Sequence, residues 1–253
     1  MIPHNPQPKD ISTLMPPPWN WAAIPGGTVT LDHTGGYLMQ AVTVEVGAFQ
    51  MARYPITRAQ FQVFVDAPGG YGEARWWDYS AAARLWRLEH DEPAVDYGPE
   101  DAPRTHVNWY EAVAFCQWMS AQAGHTIRLP TEAEWQHAAQ GEDGRPYPWG
   151  QEWDDQRCKN GVTAKHIGPG SVREFEGPGD SPFGVVGMAG NVWEWCLTSW
   201  KTGANDLRDP HVRVLRGGSW FDDVVSFFRT TTRQSWNPDL TSDLRGFRVI
   251  RTD

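Results

Sequence analysis

Apolar and polar positions follow two periods along this chain, and both fade in its second half. After Ile24-Pro25-Gly26-Gly27, residues Thr28–Leu31 alternate with a period of two, as do Val42–Phe49, which predicts strands. Past Tyr54-Pro55-Ile56 the spacing changes. Thr57 can cap a helix that carries Phe61, Phe64 and Val65 on one face. Asn108 and Glu111 stand three apart, as a capping box requires, ahead of the stripe Ala112, Val113, Cys116 and Met119, and Gly124 supplies the stop. Thr131 and Glu134 repeat that logic for a third helix through Ala139, closed by Gly141. Beyond Gly141 no helical spacing persists, and Val212–Leu215 and Phe247–Arg251 are the clearest strands among long turns. At the other end, Pro16-Pro17-Pro18 favours extended geometry, so residues 1–20 are expected to form an extended arm. Residues 68–104, with Trp76, Trp77, Tyr79 and Trp86, predict a long, partly helical excursion. With no internal repeat and no clean linker, residues 21–253 are expected to form one α+β domain.

Composition sharpens this picture. Fifteen Trp, 25 Gly and 20 Pro in 253 residues describe a loop-rich fold pinned by large aromatic anchors. A formal charge of -9 argues against a nucleic acid or an anionic membrane as the main partner. The proline-rich start has no charged head followed by an apolar run, and no stretch is long enough to span a bilayer. A cytoplasmic protein without a secretion leader is therefore expected. Cys116, Cys158 and Cys196 form no CxxC pair, so neither a disulfide framework nor a thiolate zinc site is signalled. Cys116 and Cys196 are expected as small buried hydrophobes. Cys158, between Arg157 and Lys159 in a polar loop, is expected at the surface, where those cations would lower its pKa. The eight histidines are scattered, with no pair at helical ligand spacing.

One ordered set of motifs carries a resemblance. Ile24-Pro25-Gly26-Gly27, Tyr54-Pro55-Ile56-Thr57, Val107-Asn108-Trp109, Arg128-Leu129-Pro130-Thr131-Glu132-Ala133-Glu134-Trp135 and Tyr147-Pro148-Trp149-Gly150 come first. Gly190-Asn191-Val192-Trp193-Glu194-Trp195, Arg216-Gly217-Gly218-Ser219-Trp220 and Gly246-Phe247-Arg248 follow. Together they resemble the formylglycine-generating enzyme, or sulfatase-modifying factor, family. That resemblance implies a C-type-lectin-like fold with little regular secondary structure.

Fold does not settle function. The oxidases that the chain resembles place two copper-binding cysteines between the Gly-Gly-Ser-aromatic motif and the following arginines. Here that interval is Phe221-Asp222-Asp223-Val224-Val225-Ser226-Phe227-Phe228, without cysteine. An aspartate near the first thiolate position is a poor Cu(I) ligand. The related iron-dependent sulfoxide synthases draw histidines from an additional helical domain, and no such domain is expected here. No catalytic residue, copper or iron is therefore expected, with a metal-dependent oxidoreductase using an unrecognised site as the alternative. The resemblance also implies a structural Ca²⁺ held by the carbonyls of Gly187, Gly190 and Val192 and the carboxylate of Glu194, the competing role for Glu194 being to cap loop amides. A second family calcium site is not expected, because no Asp-x-Phe follows Asn160 before Phe175.

The same family includes variable proteins of diversity-generating retroelements, whose rewritten stretch lies between the Gly-Gly-Ser-Trp motif and the terminal Gly-Phe-Arg. This chain resembles that layout, with Arg229, Arg233, Asn237-Pro238 and Arg245 punctuating the insert. Codons of the rewritten type exclude Lys, Glu, Gln, Met and Trp, and between residues 221 and 245 only Gln234 and Trp236 break that rule. Asp222, Asp223, Val224, Ser226, Phe227, Thr230, Thr232, Ser235, Trp236, Leu240, Ser242 and Asp243 mix apolar anchors with short polar groups. Such a mixture suits a ligand-facing surface whose partner is a protein. Trp236 could equally be a core pillar, while Phe228, beside Arg229, is expected in the core.

Overall fold

Thr57, Asn108 and Thr131 each close the first turn of a helix, and the chain is organised around the helices they start. The computed structural model describes residues 10–32, 35–162 and 167–252. A single helical turn, α1 (Ile11–Leu14), leads to β1 (Trp21–Ile24), β2 (Gly27–Leu31), β3 (Val42–Val46) and β4 (Phe49–Ala52). Helices α2 (Arg58–Asp66), α3 (Ala81–Glu89) and α4 (Trp109–Ala123) come next, then β5 (Thr126–Arg128) and α5 (Glu132–Gln140). The remaining strands are β6 (Trp193–Ser199), β7 (Arg213–Arg216), β8 (Gln234–Trp236), β9 (Arg245–Gly246) and β10 (Ile250–Thr252).

The three caps are reciprocal. Asn108 Oδ1 accepts from the Glu111 amide and Glu111 Oε2 accepts from the Asn108 amide, both at 2.9 Å. Thr57 with Gln60, and Thr131 with Glu134, do the same. Each pair satisfies backbone donors that a helix start leaves open, worth about 1 kcal/mol. Gly124 stops α4 at φ 73°, a left-handed conformation that suits glycine.

Helix α4 carries more than its expected stripe. Trp109, Ala114, Phe115 and Trp118 are buried along with Ala112, Val113, Cys116 and Met119, so the helix is enclosed on nearly every side. The excursion of residues 68–104 supplies part of that enclosure. Trp76 and Trp77 are buried, and Trp86 stacks on Trp77 with centroids 5.5 Å apart.

Two four-stranded sheets and a ribbon complete the fold, the ribbon packing on α5. The first sheet runs β1-β4-β10-β5, so that both ends of the chain share it, and β2-β3 form the ribbon. The third runs β8-β7-β6-β9, antiparallel except where β6 meets β9.

Three sequence expectations need correction. The strand expected over Val42–Phe49 divides at Gly47: Val46 pairs with Gly27 and Phe49 with Ile24, in different sheets. The arm is not extended throughout, because Asp10 caps α1 and the turn buries Ile11 and Met15 against the core; its first nine residues lie outside the described ones. Strand β6 was not legible at all. Its seven residues are all buried, and a strand covered on both faces shows no alternation. Among the described residues, no helix is long and apolar enough to cross a membrane.

Candidate binding surface

The segment 221–245 follows β7 after residues 217–220 and closes where β9 starts, and buried arginines brace the frame around it. Arg216 is wholly buried and donates to the carbonyls of Thr230 and Thr232 at 3.0 and 3.2 Å and to Gln136 Oε1 at 2.9 Å. Arg233 grips both oxygens of Glu132 at 2.7 and 2.9 Å and lies 4.5 Å from the ring of Trp200. Tyr37 also donates its hydroxyl to Glu132. One carboxylate from the first turn of α5 thus meets two guanidiniums, Arg216 at 3.4 Å and Arg233 in the two-point geometry that makes arginine–carboxylate contacts strong.

Between these braces the chain is fastened repeatedly. Asp222 Oδ2 accepts from the Ser219 amide at 2.8 Å, from Ser219 Oγ at 2.6 Å and from Trp193 Nε1 at 2.9 Å. Phe228 is buried and stacks on Trp153, with centroids 5.0 Å apart. Further along, the carbonyls of Pro238 and Ser242 accept from the amides of Trp109 and His106. Those of Asp239 and Asp243 accept from Asn108 Nδ2 and Trp220 Nε1.

The residues expected to face a ligand sort into three groups. Asp223, Val224, Ser226, Trp236, Leu240 and Asp243 are exposed, while Asp222, Phe227, Ser235 and Ser242 are half-buried. Thr230 and Thr232 are buried and do not face outward: their hydroxyls donate inward to the carbonyls of Arg145 and Ser226 at 2.8 and 2.5 Å. Phe228 is in the core as expected, and Trp236 is no core pillar, at 40% exposed.

Two residues were missed. Phe221 is the most open large apolar side chain of the segment, at 65%, next to buried Trp220. Arg245 resembled part of the frame, yet its guanidinium lies 3.8 Å from the ring of Trp236 and, among the described residues, pairs with no carboxylate. Phe221, Val224 at 46%, Trp236 and Leu240 at 43% give the segment an apolar relief. Asp223, Asp239, Asp243 and Arg229 are the exposed charges among it. Asp243 also borders a groove of about 740 Å³ lined by Tyr97, His106 and Lys159.

At three of the four residues of the expected calcium site, Gly187, Gly190 and Glu194, the oxygens expected as ligands are engaged within the chain. Both oxygens of Glu194 accept from Arg248 at 2.6 Å, and Oε2 also accepts from Trp135 Nε1 at 2.8 Å. Arg248 donates to the Gly187 carbonyl at 3.3 Å, and the Gly190 carbonyl accepts from the Val192 amide at 2.9 Å. A carboxylate neutralised by a guanidinium, with a neighbouring carbonyl taken by the same cation, does not fit Ca²⁺, which needs those oxygens for itself. Among the described residues no group of three or more His, Cys, Asp or Glu could hold a metal ion.

Cys158 is the remaining correction. It is buried beside Tyr147, Ala189 and Phe228, and burial pushes its thiol up to about 12 instead of lowering it. Arg157 and Lys159 turn away to Asp154 and Glu174. Cys116 and Cys196 are buried as expected, and burial raises both thiols as well.

Comparison with known proteins agrees with this architecture. The chain is 30% identical over 243 residues to the mouse (Mus musculus) inactive C-alpha-formylglycine-generating enzyme 2, covering 81% of this chain and 75% of that one. It is 34% identical over 223 residues to the formylglycine-generating enzyme of Streptomyces coelicolor, covering 75% and 67%. In structure it is similar to Treponema denticola variable protein 1, with a TM-score of 0.68 at 20% identity over 93% of this chain and 95% of that one. The loop-rich α+β architecture is the C-type-lectin-like fold of the formylglycine-generating type. The sulfatase-modifying factor enzyme 1-like domain matches residues 16–253, and the chain belongs to that family.

Proposed function

We propose that this chain is a non-catalytic ligand-binding protein that displays residues of about 221–245 on a C-type-lectin-like scaffold, as variable proteins of diversity-generating retroelements do. One observation carries the reading. The segment puts Phe221, Val224, Trp236 and Leu240 into solvent while buried arginines and Phe228 hold its base. Open apolar anchors among short polar groups suit a protein partner. The interval that corresponds to the oxidase's copper-binding stretch holds no cysteine, and the three cysteines elsewhere are buried with raised pKa values. The likeness to the Treponema variable protein supports the scaffold, and the relative called inactive supports a family member without the oxidase chemistry.

The Streptomyces relative, named as the enzyme, keeps an oxidoreductase as the second reading. Metal analysis of purified protein separates the two. Stoichiometric copper or iron with thiol-dependent O₂ uptake would overturn the binding reading. A neighbouring reverse-transcriptase gene with a template copy of the last coding segment is the result expected for diversification.

A further inference from the structure

Arg245 is the odd one among the buried arginines. The other five, Arg104, Arg213, Arg216, Arg233 and Arg248, each donate to carbonyl or carboxylate oxygens of the chain. Arg245 is only 9% exposed; its Nε, like those of Arg104, Arg213 and Arg216, has no acceptor, and what sets it apart is that its terminal nitrogens donate to no described residue. Those terminal nitrogens keep contact with solvent, while Trp236, itself 40% exposed, covers the guanidinium at 3.8 Å. A partly desolvated guanidinium without acceptors from the protein carries a cost that a folded chain normally offsets with hydrogen bonds. Among the described residues, the cation–π contact with Trp236 and the nearby charges of Asp222 and Asp243 are the compensation it has.

The surroundings say what kind of acceptor is missing. Asp222 and Asp243 lie close enough to act on Arg245 electrostatically without pairing with it. Asp222 is committed to Ser219 and Trp193, and Asp223, Asp239 and Asp243 add exposed negative charge nearby in the segment. A carboxylate arriving at Arg245 would meet that negative field. A neutral carbonyl would not, and basic side chains beside it would gain from the aspartates.

We infer that Arg245 is the polar anchor of the ligand surface, taking a main-chain carbonyl of a polypeptide partner whose flanking side chains are neutral or basic. Trp236 and Leu240 receive its apolar groups. This assignment rests on the display reading above and names the chemistry of that same surface.

The test uses the full chain and a library of random peptides selected for binding to it, with affinities of the selected peptides measured against variants. Arg245→Met should weaken binding about tenfold or more, and Arg245→Lys should weaken it less. Phe221→Ala and Leu240→Ala should also weaken binding, and the selected peptides should be poor in Asp and Glu. Thermal melting of Arg245→Met without peptide should be unchanged or raised, because a buried cation lacking acceptors is removed; a clear drop would mark Arg245 as structural and overturn the assignment. Binding that depends on Phe221 and Leu240 but not on Arg245 overturns this inference and leaves the display reading standing. Arg245-dependent peptides rich in Asp and Glu overturn the neutral acceptor. Selected peptides indifferent to all three positions, or no selected peptide at all, overturn the display reading itself.

Discussion

Glu194 and Arg248 meet at two points, each carboxylate oxygen 2.6 Å from a guanidinium nitrogen, and neither side chain reaches solvent. Glu194 belongs to β6 and Arg248 leads into β10, so the pair ties the third sheet to the first. Removing one partner leaves the other charged and alone in the interior. Glu194→Ala should therefore destabilise by about 3–5 kcal/mol, seen as a fall in Tm by calorimetry. Replacing both residues with methionine should recover much of that loss. The wild-type Tm should be the same in Ca²⁺ and in EGTA; a rise with Ca²⁺ would mean that an ion displaces Arg248.

The division between frame and surface has a stability signature. Phe221→Ala and Leu240→Ala should each change unfolding free energy by less than about 0.5 kcal/mol. Phe228→Ala opens a cavity against Trp153 and should cost about 3–5 kcal/mol. Thr232→Val, which removes the hydroxyl bonded to the Ser226 carbonyl, should cost about 1 kcal/mol. Urea titrations of the four variants check the ranking, and a large loss at Phe221 would place it in the core.

Cys116, Cys158 and Cys196 should resist alkylation in the native protein and react once it is unfolded, as followed by intact mass. For Cys158 the sign with pH follows from its raised pKa. The unfolded thiol ionises near 9.0 while the folded one stays protonated to about 12. Its contribution to stability is complete below the unfolded value and is lost as pH rises across that interval. Rapid native labelling of Cys158 at neutral pH would contradict its buried placement.

Asn108 serves two structures at once, capping α4 and donating to the Asp239 carbonyl at 3.3 Å. Asn108→Ala should cost about 1–2 kcal/mol. It should also speed hydrogen exchange across residues 239–243 more than at the helix centre. Equal effects in both places would mean that the cap alone matters.

What the sequence disclosed was mostly local. The capping boxes at Asn108 and Thr131 were legible because both partners lie within one helical turn. Strand β6 was hidden because burial on both faces erases the period that marks a strand. Cys158 was misjudged because neighbours in sequence say nothing of direction. Arg157 and Lys159 leave toward acidic partners, and the thiol between them packs on Tyr147 and Phe228. Thr230 and Thr232 have the composition of a displayed segment but an inward aim set by acceptors 85 and 6 residues away. Arg245 stood in a run of frame residues, and only the three-dimensional count of its acceptors separates it from Arg248.

Most of the fastening of residues 230–243 uses oxygens that any amino acid would supply. The carbonyls of Thr230, Thr232, Pro238, Asp239, Ser242 and Asp243 take hydrogen bonds from Arg216, Trp109, Asn108, His106 and Trp220. Those bonds are indifferent to which side chain stands at the position. The loop's course is thus uncoupled from its spelling, and outward positions such as Leu240 and Asp243 can be exchanged freely while the path of the backbone is inherited unchanged.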